Sequence, residues 1–83
     1  MPDDRRLDLH GADRETAIRE LDLWLNGVFL QGAREGTVIC GRGRGILLRA
    51  VEEELRRHPL VEGYRREGPS FVVGLIPRSK KEL

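Results

Sequence analysis

With 83 residues the chain has room for one domain, because a second core would leave neither half enough apolar surface to bury. Its 39% apolar and 35% charged residues exclude a disordered tail, and 15 basic against 14 acidic residues, net +1, exclude a polycation, so any attraction for nucleic acid must be local. The one cysteine, Cys40, excludes an internal disulfide and fits a reducing cytoplasm; with two histidines it is too few for a four-ligand zinc site, and no apolar run approaches the roughly 20 residues of a membrane span.

Residues 1–6 read as a polar N-terminal tail. Arg6-Leu7-Asp8-Leu9-His10-Gly11 alternates apolar and polar residues, which predicts a short strand with Leu7 and Leu9 on one face and Asp8 and His10 on the other. Asp13 is a natural N-cap for a helix whose stripe is Ala17, Ile18, Leu21, Trp24, Leu25, Val28 and Phe29, closing near Gln31-Gly32. Trp24 and Phe29 belong to that stripe and read as core. Thr37-Val38-Ile39-Cys40 is β-branched and apolar, the pattern of a strand buried on both faces. After the Gly41-Arg42-Gly43-Arg44-Gly45 turn, Ile46 to His58 forms a second helix with Leu47, Leu48, Val51 and Leu55 on one face, ended by Pro59. His58 there reads as a partner of the helix dipole. Val61 to Arg66 and Phe71 to Ile76 predict a hairpin around Glu67-Gly68-Pro69-Ser70, and Arg78 to Leu83 a frayed basic tail. The order is βαβαββ: an α/β (α+β) two-layer sandwich in which a right-handed crossover makes the first two strands parallel. Ligands of such sheets gather at the C-terminal strand ends, so Asp8-His10-Gly11 and Cys40-Gly41-Arg42 should face one crevice.

The glycine turn is the most informative local feature, because three glycines in five residues weaken a turn unless backbone approach or positive φ is required. Between a strand and a helix start it offers unpaired N–H groups and the positive end of a helix dipole, which suit a phosphate. Arg42, Arg44 and Arg49 add charge with no carboxylate from residue 41 to 49. The bland alternative is a tight turn with solvated arginines. Ile46 breaks the GxGxxG spacing and no Lys-Ser/Thr follows, so a mononucleotide loop is disfavoured. Asp8 and His10, two apart on a strand, can share one substrate: the imidazole transfers a proton and the carboxylate orients it or holds a divalent metal, Mg2+ or Mn2+. Alternatively His10 caps the strand end and Asp8 offsets Arg5 or Arg6. Cys40 lacks an adjacent activating base and reads as a small buried hydrophobe. Tyr64 stays open between roles.

Leu7-Asp8-Leu9-His10-Gly11 resembles the opening LDLHG motif of Smr (small MutS-related) domains. Val38-Ile39-Cys40-Gly41-Arg42-Gly43-Arg44-Gly45, then Leu48-Arg49, Leu55 and His58-Pro59-Leu60-Val61, is similar to the family's second signature, and the resemblance spans residues 7–76, leaving 77–83 as a basic tail. It implies a four-stranded mixed sheet with two helices on one face, similar to the C-terminal domain of translation initiation factor 3. It implies endonuclease activity or binding of branched or single-stranded nucleic acid. Residue by residue, Asp8, His10 and Gly11 match the motif associated with cleavage, and Gly41, Gly43 and Gly45 the glycine turn. Cys40 stands where many members have His, and Arg44 where many have a small residue such as Thr.

Three functions compete. An endonuclease would use His10 for proton transfer, Asp8 as orienter or metal ligand, and the glycine turn with Arg42, Arg44 and Arg49 to hold phosphate. A non-catalytic module would anchor DNA or RNA without cutting, as part of a larger MutS-like ATPase in repair or recombination control or of a ribosome-associated protein. A protein-interaction domain using the open sheet face would show no salt-dependent nucleic-acid affinity.

Overall fold

A computed structural model describes residues 5–41 and 45–81. The N-terminal alternation makes a strand shorter than the pattern predicts: β1 covers Arg6–Asp8, and one further bond, Leu9 N–H to the Ile39 carbonyl at 2.7 Å, ends its attachment. Leu9 still turns inward and is buried, with Leu7 packed against the core. Helix α1, Arg14–Leu30, starts where expected because the Asp13 carboxylate accepts the Thr16 N–H at 2.8 Å. It buries Ala17, Leu21, Leu25, Val28 and Phe29. It stops because Gly32 takes φ +82°, letting the Gly32 and Ala33 amides return to the Phe29 and Val28 carbonyls.

Strand β2, Glu35–Ile39, was expected to be buried on both faces; only one face is. Gly36 and Val38 are buried, whereas Thr37 and Ile39 remain half-buried, because the helices cover a single side of the sheet. Gly36 is required by packing: a Cβ there would stand 2.6 Å from Cη2 of Trp24, whose indole lies on this strand. Helix α2, Ile46–Arg57, ends as Pro59 dictates, with His58 extended at ψ 129°. Strands β3, Val61–Glu67, and β4, Ser70–Leu75, form the hairpin, turned by Gly68 (φ +60°) and Pro69. The C-terminal segment, expected to fray, makes one helical turn, α3, at Arg78–Lys81.

The sheet order is β1-β2-β4-β3, with β1 and β2 parallel and the other pairs antiparallel. The register sets the two faces. On the covered face Val38, Phe71 and Val73 join Leu21, Leu25, Val51 and Leu55 in one core. On the other face lie two rows across the sheet, Arg6–Thr37–Val72–Arg65 and Asp8–Ile39–Ser70–Glu67. Tyr64 is structural: its ring meets Phe71 edge-on at 5.8 Å and its hydroxyl donates to Glu52 Oε2 at 3.1 Å.

His58 does more than meet the helix dipole. It is buried, its Nδ1 accepts the Leu60 N–H at 3.2 Å, and its Nε2 lies 2.8 Å from Asp22 Oδ1. The first contact occupies the Nδ1 lone pair, so the proton sits on Nε2 and is donated to Asp22. The side chain thereby ties the end of α2 to α1. His58→Ala strands the Leu60 amide and opens a gap, and should lower the unfolding free energy in urea by about 1–3 kcal/mol; an unchanged midpoint would show that the tie contributes nothing.

Candidate functional site

The site follows from the parallel register. Asp8 pairs with Ile39 at the C-terminal ends of β1 and β2, so the residues after each strand emerge side by side. After Asp8 the chain leaves the sheet in a turn, closed by Ala12 N–H to the Leu9 carbonyl at 3.0 Å and enabled by Gly11 at φ +79°. His10 therefore stands in a turn and not on the strand, a correction to the two-apart strand geometry.

The expected pairing nevertheless forms, and more tightly than strand spacing alone provides. Asp8 Oδ1 lies 2.7 Å from His10 Nδ1 and accepts the His10 backbone N–H at 3.0 Å. These hydrogen bonds, the side-chain one first, hold the Asp8 carboxyl below its ordinary value of 3.8. A carboxylate only accepts, so Nδ1 carries the imidazole proton and Nε2 is an acceptor with no partner among the described residues. The imidazole is 72% exposed, open to whatever approaches the rim.

Gly41 supplies the other half. A Cβ built there would lie 2.8 Å from the His10 Cβ, and its φ of +79° already excludes most side chains. The two segments, about thirty residues apart in sequence, are thus in van der Waals contact, as the crevice inference required. Cys40 points into the core, where burial pushes its thiol up to about 11. It stays protonated at neutral pH and cannot serve as nucleophile or proton relay.

Gly45, at φ +80°, begins α2 without a side-chain cap, and no acidic residue stands in the first turn. Among the described residues no side chain caps the leading amides of α2, an arrangement that suits an anion. Between this end and the start of α1 lies a cleft of about 300 Å³, bordered by Gly11, Asp13, Arg14, Gly41, Gly45 and Ile46. Arg42, Gly43 and Arg44 lie outside the described residues. Arg49 is exposed and borders a neighbouring, smaller cleft instead of this one. Arg14 was missed by sequence reading; its signal was its place directly after the Asp13 cap, where a helix start faces the same rim.

Among the described residues no group of three or more His, Cys, Asp or Glu side chains could hold a metal ion. A Mg2+ ion keeps several waters and is commonly held by one or two carboxylates together with substrate phosphates, so Asp8, with Oδ1 engaged by His10, is a carboxylate at this rim that would contact one. No helix among the described residues is long and apolar enough to cross a membrane.

Comparison with known proteins identifies the family and the fold. The Smr domain family matches residues 7–71. The crystal structure of the Smr domain of Thermus thermophilus MutS2 superposes with a TM-score of 0.85 at 29% identity, covering 88% of this chain and 99% of that one. Endonuclease MutS2 of Clostridium tetani is 41% identical over 59 residues, and that of Caldicellulosiruptor saccharolyticus 37% over 62, or 71% and 75% of this chain. The chain spans only 8% of the length of each of those relatives. Motifs, fold and matched span agree: this chain is a member of the Smr domain family.

Proposed function

We propose that the chain cleaves nucleic-acid phosphodiesters at the rim where β1 and β2 end. The observation that carries this reading is the Asp8–His10 pair, set against Gly41, with Nε2 unengaged among the described residues. In this reading Nε2 takes the proton of the attacking group, the 2′-hydroxyl of RNA or a water on DNA, as the new P–O bond forms; Asp8 stabilises the resulting imidazolium, which returns the proton to the departing sugar oxygen as the old P–O bond breaks. The open amides of α2, with Arg42 and Arg44, stabilise the negative charge that grows on the phosphate. RNA brings its own nucleophile, so its cleavage needs no metal ligand beyond these residues. The relatives' name, endonuclease MutS2, supports the class of reaction. A place as the nuclease module of a larger MutS-like cytoplasmic protein, acting in repair, recombination control or ribosome quality control, belongs to the same proposal.

The second reading is a module that binds branched or single-stranded nucleic acid without cutting. It is favoured by one observation: at Cys40, where a second imidazole would help, there is a buried thiol held near 11.

Cleavage of supercoiled DNA and of structured RNA separates the two. His10→Ala should reduce cutting by about 100-fold or more while leaving affinity nearly unchanged. Arg42→Ala with Arg44→Ala should weaken binding and flatten the salt slope by about 1.4 to 1.8 if both arginines meet phosphates. A His10→Ala protein that cuts like the wild type would refute the catalytic assignment, and wild-type binding without cutting would select the second reading.

The pair also makes a pH prediction. A carboxyl whose folded pKa is depressed contributes stability above its unfolded value, lost as pH falls through the folded one. The Asp8–His10 bond should therefore persist at mildly acidic pH and break only below 3.8. Carbon-13 titration of the Asp8 carboxyl should give a midpoint below 3.8 that moves up towards the ordinary value in His10→Ala, which removes the side-chain bond and keeps the backbone one; a wild-type midpoint at or above 3.8 contradicts the pairing.

A further inference from the structure

Ile46 is 67% exposed, one of three large apolar residues left in solvent among the described residues. The core makes no demand on it: α2 buries Ala50, Val51 and Leu55, and Leu47 and Leu48 pack against the core partly. Ile46 instead forms the ridge between two clefts. One is the cleft between the helix starts. The other, about 120 Å³, is bordered by Arg14, Ile46, Arg49, Ala50 and Glu53. Arg14 borders both.

The two arginines beside Ile46 are placed differently from four others among the described residues. Arg34, Arg56, Arg57 and Arg65 each reach a glutamate. Arg14 and Arg49 are exposed and make no ion pair or side-chain hydrogen bond among the described residues. An exposed branched apolar side chain between two unengaged guanidinium groups matches the chemistry of one nucleotide, with an apolar ring face and an anion on either side.

We propose that Arg14, Ile46 and Arg49 form a seat for an unpaired nucleotide of the strand that continues from the cleavage cleft. This rests on the reading of that cleft as a nucleic-acid site. Ile46 packs on the face of the base or sugar, and the arginines hold the flanking phosphates. Glu53 repels phosphate from the far end and so fixes where the backbone runs. A duplex hides its base faces in the stack and cannot use Ile46, so the seat favours single-stranded or branched substrate.

The test is fluorescence anisotropy with a short oligo-dT strand and with a duplex of the same length. Ile46→Ser should weaken strand binding by roughly three- to tenfold and duplex binding by less than about twofold, with Ile46→Val close to wild type. Arg14→Ala with Arg49→Ala should lower the salt slope for the strand by about 1.4. The substituted side chains are exposed, so an unchanged circular dichroism melt accompanies these effects. Equal loss for strand and duplex, or no loss in Ile46→Ser, overturns the seat. If His10→Ala still abolishes cutting in that case, the cleavage reading survives and the seat alone is wrong.

Discussion

Three residue pairs hold β1 to β2, Arg6 with Thr37, Leu7 with Val38 and Asp8 with Ile39, and the Leu9 amide adds a last bond to Ile39. So short a strand has little hydrogen bonding of its own to secure it; Leu9, buried under the helices, supplies the rest. This parallel attachment brings the Asp8–His10 turn to the end of β2, and each further property of the site follows from it. A slip of one residue would reverse the faces of β1, sending Asp8 into the core and Leu9 into water. The apolar pattern that forms the core thus also aims the acid–imidazole pair outward.

Glycine completes the arrangement at two places. At Gly41 it permits contact with His10, which any Cβ would push away, and at Gly45 it starts α2 without a side chain to occupy the leading amides. A chain with almost no net charge can then attract an anion locally, because the start of α2 and Arg14 border one cleft, while Arg34, Arg56, Arg57 and Arg65 are spent on glutamates. His58 and Tyr64, by contrast, spend their polar atoms inside the fold, which separates the two histidines into a structural one and an exposed one.

Most of the fold was legible because local chemistry and tertiary demand agree. Asp13 caps, Gly32 and Pro59 stop, and Gly68-Pro69 turns where their backbone preferences say they should. The meeting of His10 with Gly41 followed from crossover handedness. What escaped depended on partners distant in sequence. The half-exposure of β2 is set by which side of the sheet the helices cover, and the role of His58 by Asp22, 36 residues away. The end of β1 before His10 was hidden because alternation continues past Asp8 while Gly11 bends the backbone. Arg14 and Ile46 were invisible as a pair, since nothing in their separate segments announces that two helix starts flank one cleft.

The contact between Gly41 and His10 is where fold and proposed chemistry are the same fact, so Gly41→Ala is the most direct probe. The added methyl would sit 2.8 Å from the His10 Cβ on backbone at φ +79°, displacing the imidazole by more than catalytic geometry tolerates. Measured on structured RNA with protein shown to be folded, the rate of cutting should fall at least tenfold, while binding changes little. A folded Gly41→Ala protein that cuts at the wild-type rate would contradict the account.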